Sequence, residues 1–299
     1  MMFKFLKNDY SLLEYIPKNI LVPNNNILVN FKEISIIKEE NEIKNIKYAS
    51  KILSNTLYKI SKLVKEKKLK NGNEVNSFVN NYLIKNNCYP SSYNFKNFPK
   101  SICISPNEIL CHGIPNNNQF KEGDIINFDL TVFYKGMFSD GSIMVSIGKI
   151  SPIKKKLIEV TKKSLELGIS ICKPNIKISE IGKIIDNYVK KEGFYICKEF
   201  SGHGIGKSIH MLPIVKHYNN NDDLTLKKGM TFTIEPIVLV KPYKQLFILD
   251  DKWSVYCPEN LSAQFEHTIM ITDNGFEILT KNKNKKNLIK YKKYLKSRF

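Results

Sequence analysis

Four acids and one histidine in this chain stand where their side chains are costly unless they share a partner. Asp129 lies inside the apolar run Ile125, Ile126, Phe128, Leu130 and Val132, which predicts a buried strand. Tyr134-Lys135-Gly136 then reads as a tight hairpin turn, and Asp140 sits on the returning strand with Met137, Phe138, Met144 and Val145. The two acids are eleven residues apart with the turn between them, so they are expected side by side. Glu235 lies in the strand-like run 230–236 and Glu266 in the run 262–271, again among apolar or β-branched neighbours. His203 is flanked by Gly202 and Gly204, which let backbone crowd a ligand and aim the imidazole. Taken singly, each acid has a plain reading as a turn cap or a solvated charge. Taken together, bare carboxylates in apolar surroundings repel and lose hydration, so a cation is expected among them.

Oxygen donors with one imidazole suit hard or borderline divalent ions: manganese, iron, cobalt or zinc. Four carboxylates carry more charge than one ion needs. Two ions, with Asp140 and Glu266 shared between them, balance it better, and a pair about 3.5–4 Å apart is the recurring arrangement of two-metal hydrolysis.

The elements that must position these groups follow from periodicity. Apolar residues recur at three- and four-residue steps from about residue 36 to 67 (Ile43, Ile46, Ala49, Leu53, Leu57, Ile60), and a second helix is predicted over 74–85. Residues 93–120 read as loop and short strand, with Tyr93, Phe95 and Phe98 close together; His112, before Gly113, by itself reads as structural. Two more helices are predicted over 152–172 and 178–192, the second ending at Gly193. Residues 194–200 are strand-like, and the Gly-His-Gly-Ile-Gly run at 202–206 lacks the spacing of a dinucleotide fingerprint. The layout is helix–helix–hairpin, then helix–helix–strands, two halves alike in arrangement. It implies an α+β fold, a curved antiparallel sheet covered by helices on one side, over residues 36–280. Residues 1–35, with Pro17, Pro23 and three consecutive asparagines, are expected to form an extended arm, and 281–299 a basic tail.

The bulk properties bound the rest. At 299 residues and 42% hydrophobic content the chain is long enough for a large core. Six scattered cysteines without a Cys-x-x-Cys pair point to reduced thiols. No apolar stretch is long enough to span a membrane and no signal-peptide core opens the chain, so a cytoplasmic location is expected, with an organelle as the alternative. The net charge of +19 suggests acidic partners, yet the tail 281–299 holds nine basic residues and no acid, about half of that charge. The tail reads first as a solvated extension and second as a weak ribosome contact. Neither a membrane nor a specific nucleic-acid partner is expected.

Several segments then carry a resemblance. They are Asn97 to Cys103, Asn107-Glu108 through Cys111-His112-Gly113-Ile114-Pro115, and Gly123 to Asp129. Further on come Gly202 to Gly206, Phe232 to Pro236, and Ser262 to Thr268. In this order they resemble the type I methionine aminopeptidases, of the pita-bread fold with pseudo-twofold halves, from about residue 36 to 280; the segment Cys88-Tyr89-Pro90-Ser91 is similar to the eukaryotic type I enzymes. The resemblance implies two divalent ions held by Asp129, Asp140, His203, Glu235 and Glu266. Asp129 would serve one ion, His203 and Glu235 the other, and Asp140 and Glu266 both. It implies His112 and His210 as substrate-touching histidines, Glu235 as the proton-relaying acid, and a methionine pocket from Phe95, Phe98, Cys103, Ile209 and Trp253. The implied substrates are peptides and nascent chains beginning with methionine, with a small second residue. Ser139, Met211, Ile209 and Phe95 depart from the residues usual in the family at those places. Two alternatives stay open: a proline-directed aminopeptidase of the same fold, and a non-catalytic pita-bread protein that binds RNA or ribosomes.

Overall fold

The computed structural model describes residues 16–23 and 36–282. The elements, in chain order, are α1 (Glu40–Lys65), α2 (Gly72–Lys85), β1 (Tyr89–Pro90), β2 (Cys103–Pro106), β3 (Ile109–Cys111), β4 (Ile125–Tyr134) and β5 (Met137–Ser146). Then come α3 (Pro152–Ser170), α4 (Ser179–Lys191), β6 (Tyr195–Ile196), β7 (Gly202–Gly204), β8 (Met211–Val215), β9 (Thr231–Ile234) and β10 (Ile237–Leu239). The chain continues through β11 (Phe247–Ile248), β12 (Val255–Tyr256), β13 (Ser262–Gln264), β14 (Glu266–Ile271) and β15 (Phe276–Ile278).

The central sheet has nine antiparallel strands ordered β1-β4-β5-β14-β9-β7-β8, with β2 beside β4 and β15 beside β14; two three-stranded sheets, β13-β10-β6 and β11-β12-β3, flank it. Period-two alternation decides which face each residue serves. Along β4, Ile126, Phe128, Leu130 and Val132 are buried against Leu53, Leu57 and Ile60 of α1 and Val79 and Leu83 of α2. Along β9, Phe232 and Ile234 are buried against Leu157 and Leu165 of α3 and Ile181 and Ile185 of α4. Each half thus packs its own helix pair on one face of the sheet. The residues between, Asp129 on β4 and Thr233 on β9, are left to the opposite face.

Helix starts follow local chemistry. In α1 a capping box links Glu39 and Glu42, Asn71 caps α2 by accepting from the Glu74 N–H, and Pro152 opens α3. The first helix begins later than its periodicity suggests, because Ile37 bridges Met230 and the Lys38 N–H donates to the Gly229 carbonyl. Two strand readings change. Of 194–200 only Tyr195–Ile196 pairs, with β10. The run 262–271 divides at Phe265 into β13 and β14, which belong to different sheets.

Ile20 is buried with Ile46, Tyr89, Phe133 and Phe138, so the described part of the N-terminal segment lies on the domain. The rest of the expected arm, 1–15 and 24–35, and nearly all of the tail, 283–299, lie outside the described residues. All six cysteines are free and buried. Among the described residues no helix is long and apolar enough to cross a membrane.

Candidate metal centre

The β4–β5 hairpin turns on two residues, Lys135 at φ 45° and Gly136 at φ 86°, the doubly positive pattern of a type I′ turn. That turn pairs Asp129 with Ser142 and Asp140 with Thr131. The two acids are therefore diagonal neighbours, not directly opposed. A two-residue turn shifts the pairing by two from the expected one, and an offset of two keeps both acids on one face. They still meet, in a hydrogen bond that can hold only while one of them keeps a proton.

The second half brings its groups one by one. β14 pairs with β5 so that Glu266 sits opposite Ser142. β9 pairs with β14, and Glu235 follows its last residue. β7 joins β9 with Gly204 opposite Phe232. The glycines flanking His203 face packed backbone: a Cβ at Gly202 would stand 2.3 Å from the Thr233 carbonyl oxygen, and one at Gly204 2.0 Å from that of Leu212. Only His203 between them turns to the site.

One donor atom each from Asp140, His203 and Glu266 lies within 4.8 Å of the others. The His203 Nε2 is 3.4 Å from Glu235 Oε1. Asp140 and Glu266 are 7% and 3% exposed. Burial, and the neighbouring carboxylates, drive Asp129, Glu235 and Glu266 well above the usual carboxylate range. Burial pushes Asp140 up to about 6, even though the Thr131 hydroxyl and the Gly141 N–H donate to it. Burial lowers His203 to about 4, which keeps its ring neutral. With its Nδ1 on the Gly204 carbonyl at 3.1 Å, the neutral ring presents the Nε2 lone pair to the acids. Buried carboxylates crowded together, with an imidazole poised as a neutral donor beside them, fit a divalent-metal site.

Around these five stand side chains that sequence reading did not single out. The Thr233 hydroxyl accepts from the His203 N–H at 3.0 Å and donates to Glu235 Oε1 at 2.7 Å. Gln264 Nε2 donates to Glu235 Oε2 at 3.2 Å, and the Glu235 N–H donates to His217 Nε2 at 3.1 Å. Thr131 and Thr233 each lie two residues from an acid on the same strand line, so the period of two was the available signal. His217 carried no such signal.

Asp129, Asp140, His203, Glu235 and Glu266 line one cavity of about 830 Å³. His112, His210, Phe95, Phe98, Cys103, Ile209 and Trp253 line it too, so every candidate ligand and substrate-contact residue reaches this space. Its apolar end is a slot where Phe98, Cys103 and Ile114 are buried together with Trp253 against them, the Phe98 and Trp253 rings edge-on at 5.1 Å. His112 stands in the left-handed region at φ 56°, with its ring 5.9 Å from Phe200 and 6.1 Å from Trp253. Such backbone strain on a non-glycine residue persists only where the surroundings enforce it. Here Gly113 packs so tightly that a Cβ would stand 2.1 Å from the Ile104 carbonyl oxygen. The His210 ring lies 4.5 Å from that of His203 and 5.6 Å from that of Phe95.

Residues 44–273 match the sequence pattern of metallopeptidase family M24. The chain belongs to that family. Within it, the chain is 41% identical over 253 residues to a methionine aminopeptidase of Buchnera aphidicola, covering 84% of this chain and 96% of that one. The methionine aminopeptidase structure from Rickettsia prowazekii superposes with a TM-score of 0.77 at 37% identity, covering 82% of this chain and 99% of the other. The prolidase structure from Pyrococcus furiosus gives 0.63 at 25% identity, covering 83% of this chain and 66% of the prolidase. The pita-bread fold and the hydrolase class follow from membership.

Proposed function

We infer that the protein is a methionine aminopeptidase that frees the first methionine from peptides and nascent chains, preferring a small second residue. One observation carries this reading: five metal-donor side chains crowd one wall of a cavity whose other end is an apolar slot of Phe98, Cys103 and Trp253. An unbranched apolar side chain suits that slot, and the acids lie beside it.

Asp129, Asp140 and Glu266 on one side, and His203, Glu235 and the shared pair on the other, would hold two divalent ions: cobalt, manganese, iron or zinc. Bound there, such ions supply the charge that ionises water near neutral pH and polarises a carbonyl. The remaining chemistry belongs to side chains. Glu235 is held by Thr233 and Gln264 with a carboxylate edge on the cluster, and it receives the proton of the attacking water. His210 reaches the carbonyl oxygen as negative charge develops there. Burial lowers the His112 pKa, so its ring is neutral and donates to the scissile amide, then helps the leaving amine gain its proton. The acidic wall also receives the free α-amine, which confines cleavage to the first residue.

The experiment is turnover of Met-Ala-Ser against Xaa-Pro peptides, with metal content measured before and after chelation. Release of methionine that chelation stops and metal restores is expected. Preferential cleavage of the Xaa-Pro peptides would replace this reading with the proline-directed one.

A further inference from the structure

The cavity does not end at the acids. Its mouth is bounded by β8, the last strand of the central sheet, whose outer edge pairs with no strand among the described residues. Along β8 the side chains alternate: Met211, Pro213 and Val215 are buried, while Leu212 and Ile214 are 50% and 49% exposed. Both exposed side chains line the cavity that His203 lines. In the register, Ile214 stands opposite His203, so it shares the face that carries the acids. The edge holds no charged residue, and Pro213, after a cis bond, interrupts its row of N–H donors. Two half-open aliphatic side chains continuous with the cavity of the acids call for an occupant.

We propose that Leu212 and Ile214 of β8 carry the part of the substrate downstream of the scissile bond, receiving apolar side chains at alternate positions of an extended peptide. This rests on the aminopeptidase reading and adds to it a preference beyond the second residue. In an extended peptide, residues two apart share a face at about 6.6–6.8 Å spacing. A substrate whose first side chain enters the slot presents its third and fifth side chains to the same face. A second copy of this chain docked on β8 would close the mouth to a polypeptide, so the substrate is the occupant that keeps the cavity open.

The test compares kcat/KM for Met-Ala-Val-Ala-Val and Met-Ala-Ser-Ala-Ser. The native protein is expected to favour the first by about tenfold, the low end for apolar contacts that stay half open to solvent. In the Leu212→Ser/Ile214→Ser variant the ratio falls towards one; taking a ratio cancels any change common to both peptides. Ile214→Thr keeps the β-branched shape and should give an intermediate ratio, and melting temperatures check that each variant is folded. A native ratio near one, or a ratio that survives the double substitution, overturns the proposal. So does a dimer, seen by sedimentation, that the substitutions dissolve while the ratio stands. Binding of fluorescein-labelled Ala-Val-Ala-Val, read by anisotropy, follows β8 without the chemistry. Binding that the substitutions abolish, in a protein that cleaves neither peptide, would support the β8 assignment and sink the aminopeptidase reading.

Discussion

The two halves of the molecule furnish the candidate metal centre by different means. In the first, one hairpin of two ten-residue strands carries both acids, and its ladder fixes Asp129 and Asp140 as diagonal neighbours two rungs apart. In the second, His203 and Glu266 arrive on β7 and β14 and Glu235 just past the end of β9, and side chains hold them: Thr233 ties His203 to Glu235, while Gln264 and His217 hold the glutamate. A local hairpin is rigid through its own backbone. A dispersed set needs a surrounding shell of hydrogen bonds to reach the same order.

The strongest way to break the contrast is Asp140→Asn. Asp140 is the acid where the halves meet, close to both His203 and Glu266. The variant is expected to lose both of the proposed ions by elemental analysis and, with them, most of its kcat/KM. Full metal content in that variant would show that the halves do not share it. His112→Ala touches neither half's donors. It should keep its metal yet lose roughly a hundredfold or more in kcat, and equal turnover would remove His112 from the chemistry.

Thr233→Val against Thr131→Val sharpens the comparison. Thr233 bonds two of the proposed ligands and Thr131 one, Asp140 at 3.0 Å. Metal affinity should fall about 10–100-fold for Thr233→Val and less for Thr131→Val, read by competition with a chelating dye. Equal losses would mean that the hairpin is no more self-sufficient than the dispersed half.

Proton release separates the donor types. Asp140, raised to about 6, still holds much of its proton at pH 6 in the metal-free chain, while His203, lowered to about 4, is already deprotonated. Metal loading should therefore release more protons at pH 6 than at pH 8, and affinity should weaken as pH falls through 6. Calorimetry in buffers of different ionisation enthalpy reads this directly, and a release that grows with pH would contradict it. The smallest effect is expected at Ser139→Gly. Ser139 is fully buried, and its hydroxyl meets that of Ser50 on α1 at 2.8 Å. Losing that bond should cost about 1 kcal/mol, seen in melting, with metal content unchanged.

Much of the fold and of the site is legible in the order of residues. The apolar period of α1 and α2, the hairpin, and acids set in apolar strands are local facts, because helix and strand periods act over a few residues. They are enough to mark Asp129, Asp140, Glu235, Glu266 and His203. Other features depend on partners distant in the chain. The division of 262–271 at Phe265 comes from two sheets competing for one run, and the late start of α1 comes from Ile37 meeting Met230. The diagonal placing of Asp129 and Asp140 follows from turn geometry. The roles of Thr233, Gln264 and His217 need the neighbouring strands. The sequence by itself determined which side chains are too costly to bury alone. Only the tertiary structure decided which of them meet and what faces the open edge of β8, because antiparallel pairing sets neighbours by register between strands and not by distance along the chain.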